Sequence, residues 1–426
     1  MEDRRGRGVP RRRALAALAA GSAVCGLGGG AALVAAVTGD DRGGPRTSPE
    51  QDGPDVGPPD PAAVTAVLDN RARAVRDRDR TAFLATVAAA PAPYREAQAA
   101  MFDNLLKLPL EGWRESFARV VSTTGGAALV QTTTSYRLRG HDRDPLRRVR
   151  NLAFAPRSGT WVIVGDGTLR GLPDDPEIWD GGPLTVVRGR TALVAGDAPG
   201  LAEIARRLDA AVPTVARLTG EAALPGWRDR VVALVPATDQ RAGALAEGDR
   251  DLTGIAALAT VAPTTRGPGA DRIVIAPGVF GRLNDLGRDV VLTHELTHVA
   301  TGGARDGRTP LWLIEGFADH VGYHGRDVGV RSAARELRRE VAAGRLPAAL
   351  PGRGDFDGSS GRLSQAYQEA WLACRMIAER YGEARLVRLY RAAGRRSQDA
   401  ALREVLGVDT ARFTADWRDY LRKELR

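Results

Sequence analysis

Lysine is nearly missing from this chain: among 426 residues it occurs only at Lys107 and Lys423, so the 61 basic residues are almost all arginine. Alongside abundant alanine, glycine, proline and valine, that bias reads as the coding composition of a GC-rich genome of actinobacterial type, not as a device for binding polyanions. The formal charge of +9 is also local, because six arginines against Glu2 and Asp3 in residues 1–13 supply four of the nine charges and leave about +5 for the other 413 residues. Past that N-terminus no basic cluster is interleaved with aromatics, so nucleic acid is excluded as an expected partner. Cysteine is equally scarce. Cys25 and Cys374 cannot plausibly pair with each other and provide no C-x-x-C metal site, and they leave the redox compartment open. Repeats and heptads are missing too. At roughly 150 residues per domain, the length suggests two or three domains.

Charge is absent from residues 14–38, which follow Arg11, Arg12 and Arg13 and precede Asp40 and Asp41. That length suits a membrane span of about 20 residues. The arginines hold residues 1–13 in the cytoplasm and send the remainder across. A retained single-pass anchor in the cell membrane is the favoured expectation. Secretion after cleavage of a signal peptide of the twin-arginine kind is the alternative. Cys25 is read as a small helix residue and not as a lipoprotein attachment point. Residues 39–61 are dense in proline, glycine and aspartate and read as a disordered linker.

An α+β organisation is expected beyond the linker. Helical periodicity runs from residue 62, breaks at Pro91 and Pro93, and resumes to about Leu108. Alternating or β-branched runs at 117–122, 127–139, 149–154 and 160–164 then predict strands, with a hairpin at Ser158-Gly159. Helices followed by a curved antiparallel sheet resemble the nuclear transport factor 2-like fold, a cone-shaped module over 62–170. His141 and Asp142 are an imaginable acid–base pair in such a cone, but their turn-rich surroundings favour a solvated loop. A boundary is placed at 171–183. Beyond it, strands are expected at 184–187, 191–194, 231–235, 254–260 and 272–276, with an amphipathic helix at 201–219.

Only five histidines are present, which makes the run VVLTHELTHVA at 290–300 improbable by chance. His294 and His298 sit four apart, one helical turn, and can place two imidazoles on one ion with Glu295 beside them. Zn2+ in a catalytic site keeps one position open for water, and Glu295 is placed as its general base. The continuation H-x-x-G-x-x-H is missing, since Thr301 and Ala304 stand at its glycine and histidine positions. Gly302 and Gly303 look instead like the helix end.

Downstream, PLWLIEGFADHV at 310–321 carries Glu315 among Trp312, Leu313, Ile314 and Phe317, a costly place for a carboxylate without a cation. The combination resembles the gluzincin metallopeptidases, the thermolysin-like and aminopeptidase-like clan. That resemblance implies His294, His298 and Glu315 as metal ligands, Glu295 as base, and Asp319 as the carboxylate orienting a ligand histidine. It also implies a zincin-like domain over 183–426 with a small sheet and a mostly helical C-terminal part. Trp312 and Gly316-Phe317-Ala318 are similar to the aminopeptidase branch, although no G-x-M-x-N motif precedes the zinc helix. Tyr367 stands where the clan often places the tyrosine that stabilises the oxyanion. Packing with Leu363, Trp371 and Ile377 is an equally good account of it, and Tyr323 and His324 are alternative donors. His320 and His324 are four apart, but Gly322 intervenes and no acidic partner follows. Helices expected at 331–343, 364–381 and 385–393 would close the back of the cleft.

The expected function is an exported, membrane-anchored zinc peptidase acting on peptide or protein substrates. The alternative is a cell-envelope binding or scaffold protein in which the zinc site is structural or inactive.

Overall fold

The first helix is set by capping chemistry and apolar spacing: Asp60 accepts the Ala62 N–H at 3.0 Å, Pro61 opens α1 (Pro61–Asp77), and Val64, Leu68 and Val75 bury one face. The computed structural model describes residues 57–123, 125–246, 252, 254–303 and 305–426. The basic N-terminus, the membrane or signal segment and most of the linker lie outside these. No helix among the described residues is long and apolar enough to cross a membrane.

The molecule is a mixed α+β structure built on one curled sheet with helices against it. After α1 come α2 (Arg80–Ala85), α3 (Ala92–Leu105), then the antiparallel run β1 (Leu110–Ser122), β2 (Ala128–Leu138), β3 (Leu146–Arg157) and β4 (Thr160–Asp166). Strand β1 begins seven residues before the expected position 117, because irregular pairing between Glu111 and Arg114 hides the alternation there. In β2, Thr132, Thr134, Tyr136 and Leu138 alternate inward, the period-two signature of a strand with one buried face.

The following segment contains β5 (Thr185–Arg188), β6 (Ala192–Gly196), α4 (Leu201–Thr219), β7 (Val231–Val235), α5 (Asp239–Leu245), β8 (Ala257–Thr264) and β9 (Gly267–Ile275). Strand order is β1-β2-β3-β8-β9-β7-β6-β5, with β4 on β3. β6, β7 and β9 run parallel, whereas β8 is antiparallel to β9. A single pair, Leu146 with Thr264, joins β3 to β8 and makes the two halves one sheet.

Residues 171–183 do not behave as a bare linker. Ile178 and Trp179 are buried in a core shared by Trp113 and Tyr136 from one half and Leu193, Val232 and Val274 from the other. Nor is the turn at 140–145 a solvated loop or an acid–base pair. Asp142 accepts the Leu138 N–H at 2.7 Å and forms a buried ion pair with Arg272 of β9 at 2.8 Å, which ties the turn to the second half. Its carboxylate is spent on structure.

The C-terminal part is helical: α6 (Pro277–Gly281), α7 (Asp285–Thr301), α8 (Leu311–Tyr323), α9 (Val330–Ala333), α10 (Arg335–Ala342), α11 (Leu363–Tyr381), α12 (Glu383–Ala393), α13 (Gln398–Leu406) and α14 (Thr410–Leu425). The helix expected at 331–343 is broken at Ala334, whose backbone leaves the helical region. α7 starts on an Asn284 side chain that accepts the Gly287 N–H, and it ends at Gly302 with a positive φ of 79°, as the glycine pair predicts.

Gly316 sets how closely α8 lies on α11. A Cβ there would meet the Ala370 carbonyl oxygen at 2.2 Å, so the two backbones touch where only glycine fits. Gly316→Ala is expected to cost at least about 2 kcal/mol of stability by forcing these helices apart. Denaturant unfolding measures it, and a midpoint equal to wild type would show that the contact yields freely.

Candidate metal centre

Helix geometry assembles the motif in two halves. His294 and His298 are one turn apart on α7, and Glu315 and Asp319 have the same spacing on α8. Packing of α7 on α8 brings the two pairs face to face. His294 Nε2 lies 2.9 Å from His298 Nε2 and 3.2 Å from Glu315 Oε2, and His298 Nε2 lies 3.4 Å from that same oxygen. Behind them Asp319 Oδ1 is 2.7 Å from His294 Nδ1.

This triangle has the make-up of a cation site. Assigning the imidazole proton to the Nδ1 contact with Asp319 leaves His294 with a lone pair at Nε2, aimed at His298 and Glu315. Glu315 Oε2 is buried and faces both Nε2 atoms. With those nitrogens unprotonated, three electron-rich atoms converge, and the three residues could hold a metal ion. A tetrahedral ion with bonds of about 2.0–2.1 Å separates its ligands by roughly 3.3 Å, so the spacings fit. Two imidazoles and a carboxylate are a donor set suited to zinc.

Burial sharpens the argument. His294 is wholly buried and Glu315 is 3% exposed, whereas the His298 side chain is 11% exposed and marks the open side. Burial opposes a charged imidazole at His294, but without a cation Asp319 and Glu315 outweigh it and raise its pKa well above the ordinary range, so a bound metal would take the place of the Nε2 proton. Burial likewise works against ionised Glu315, yet His298 and His294 hold that carboxyl down to about 2. Its ligand oxygens are thus charged at any physiological pH. Burial raises the pKa of Asp319, against the pull of His294.

No protein-family model and no curated protein matches this chain. The arrangement of its own residues carries the functional reading.

Glu295 stands outside the triangle. It is buried, and its Oε2 accepts the Ala259 N–H of β8 at 2.7 Å. Burial raises its pKa, opposed by His294 and His298, which makes it a readier proton acceptor than an ordinary glutamate. Tyr367 on α11 is brought near, with its ring 6.3 Å from that of His294, and it also packs edge-on against Phe356 at 5.3 Å. Tyr323 is turned onto Trp371, ring to ring at 4.6 Å. His320 and His324 face away toward Glu383 at the start of α12, an acidic partner that no local pattern announced. One further contributor escaped sequence reading: the Ala259 N–H is a backbone group and leaves no trace in composition. Glu369, 2% exposed on α11, pairs with Arg362 and is not among the residues gathered at the centre.

Asp319→Asn should weaken metal-ion binding at these residues by about 10–100-fold, because the imidazole loses the carboxylate that orients it. Competition with a chromogenic chelator reads this directly, and an unchanged affinity would remove Asp319 from the centre. Glu369 generates a pH prediction. Burial, opposed by Arg362, raises its pKa from 4.5 to about 7, so the folded chain keeps a proton that the unfolded chain has released. Stability should fall as pH rises from about 4.5 to 7, by at most about 3 kcal/mol from this group. Glu369→Gln should flatten that slope in urea titrations, and an identical slope in the variant would exclude it as the source.

Proposed function

We propose that this chain is a zinc-dependent peptidase of the gluzincin type, with His294, His298 and Glu315 holding Zn2+, Asp319 orienting His294, and Glu295 serving as general base. The observation that carries the reading is the position of Glu295. A structural site has no use for a buried carboxylate beside the ligands, raised in pKa and fixed by a backbone N–H, whereas a hydrolase needs that group.

When bound, zinc supplies the Lewis acidity that lets water lose a proton near neutral pH. Glu295 takes the proton from the attacking water and passes it to the leaving amine. The Ala259 N–H keeps the carboxylate aimed while this happens. Tyr367, in the same buried region, is the hydroxyl that would donate to the developing oxyanion. His298 marks the side from which substrate enters.

Strand β8 supports a peptide as substrate. β9 is paired on both sides, by β8 and β7, so it offers no edge. β8 meets β3 only at Thr264, and among the described residues its outer edge over 257–262 has no other strand partner. An extended peptide added there would lie beside Glu295. A zincin-like domain over 183–426 and a nuclear transport factor 2-like module over 62–170 are the fold assignments that accompany this reading. Export across the membrane, with residues 14–38 as anchor, completes it.

A second reading has one observation in its favour. A cavity of about 340 Å3 is lined by Arg71, Tyr94, Glu115 and Arg150 together with Asp174, Trp179 and Asp180, and the buried Tyr94 hydroxyl has no hydrogen-bond partner. An envelope binding protein with an inactive zinc site would use this cavity and not the metal centre.

Hydrolysis of a mixed peptide library by the zinc-loaded chain separates the two. Glu295→Gln is expected to keep its zinc and lose about 10²–10⁴-fold in rate. A zinc-loaded wild type that cleaves nothing across the library would favour the binding protein.

A further inference from the structure

The C-terminal end of α8 carries a second cluster of metal-ligating side chains, and its geometry does not depend on the first. We propose that His320, His324 and Glu383 form a second site for a divalent transition metal, which ties the end of α8 to the start of α12.

His320 in the last turn of α8 and His324 at its C-cap repeat the four-residue spacing of His294 and His298. His320 is nearly buried, and its Nε2 lies 3.0 Å from each oxygen of Glu383, so the carboxylate is presented symmetrically to it. Each of the three residues offers a ligand atom within 4.8 Å of the other two. A tetrahedral ion needs roughly 3.3 Å, so closure requires movements of about an ångström. The Glu383 side chain is 42% exposed and His324 is partly exposed, so both can make that adjustment without disturbing a core. Two imidazoles and one carboxylate select zinc, nickel, cobalt or copper over calcium or magnesium, which prefer all-oxygen shells. Beside the cluster a cavity of about 230 Å3, bordered by Tyr323, Trp371 and Arg375, leaves room for water in a fourth position.

Arg217 is the competing cation. Its guanidinium lies 3.2 Å from His324 Nε2 and occupies that lone pair. Being exposed, it can withdraw into solvent, and the metal then takes its place. The second site is accordingly weaker than the buried centre, and its affinity is set by how easily Arg217 leaves.

The consequence for the protein is mechanical. Glu315 and Asp319 lie on the same helix, and His320 directly follows Asp319. A metal at the end of α8 would pin the helix that furnishes the third ligand and the orienting carboxylate of the buried centre.

Titration of the metal-free full-length chain with Zn2+ by calorimetry, supported by Co2+ absorption spectra, tests the site through metal content and not through hydrolysis. Wild type should take two equivalents, the second more weakly. His324→Ala combined with Glu383→Gln should take one. His298→Ala should lose the tight equivalent and retain the weak one, so failure of the buried centre and failure of this site are distinguishable. Arg217→Ala should bind the second equivalent several-fold more tightly, and this variant removes only an exposed side chain. A wild type that takes one equivalent overturns the proposal. So does a double variant that keeps two, or an Arg217→Ala chain whose second affinity is unchanged.

Discussion

Three carboxylates, Glu295, Glu315 and Asp319, are buried within a few ångströms of two histidines, and the neighbouring helices are arranged around the cost of keeping them there. Ionised carboxylates in an apolar interior are tolerated only where positive charge or donated hydrogen bonds compensate them. Here the compensation is unequal. Glu315 has both Nε2 atoms within 3.4 Å and is held ionised by them, whereas Asp319, with one imidazole, and Glu295, with the Ala259 N–H, keep raised pKa values. A dication among the three ligand atoms would take the place of the imidazole proton that otherwise compensates Glu315.

Packing around the centre follows from the need to present four side chains from two helices on one face. α7 and α8 each use a one-turn spacing, so the site requires only that the helices lie side by side at fixed height. That height is set from behind. Gly316 lets α8 touch the α11 backbone, and a Cβ at Gly322 would come within 3.1 Å of the Val290 carbonyl oxygen on α7. Two glycines six residues apart thus allow α8 to be pressed between its neighbours. The glycine that interrupts His320 and His324 in sequence is a packing residue, and α8 runs through it to Tyr323.

Features with a local physical cause were legible in the sequence. α4 spans Leu201–Thr219 and β7 spans Val231–Val235, both as read from periodicity, and α7 ends where Gly302 and Gly303 predicted. The spacing of His294, His298, Glu315 and Asp319 likewise specified which side chains share a helix face. What was illegible depends on partners distant in the chain. Nothing in residues 254–276 distinguishes the outer strand from the inner one, because both are short and apolar, and the choice is made by β3 and β7 pairing from elsewhere. Glu383 pairs with His320 across 63 residues, and Asp142 finds Arg272 across 130. Such pairs have no periodicity to betray them. The packing of the 171–183 segment was illegible for a related reason: its composition is dominated by proline, glycine and aspartate, while Ile178 and Trp179 join it to the shared core.

β8 is where the two halves of the molecule bear on each other. At one end Thr264 pairs with Leu146 of β3, supported by the bond from the Thr265 N–H to the Pro145 carbonyl. Five residues earlier, Ala259 donates its N–H to Glu295. A strand rises about 3.3 Å per residue, so the attachment to the first half lies roughly 16 Å from the carboxylate that β8 holds. Among the described residues the strand has one continuous partner, β9, and a one-sided strand is free to twist about that partner. Pinning its far end to β3, with the buried Asp142–Arg272 pair fixing the adjacent turn to β9, removes that freedom. The first half therefore does more than share a core with the second: it holds the strand that aims Glu295, and loosening the β3–β8 junction would act on the carboxylate without touching any residue of the metal centre.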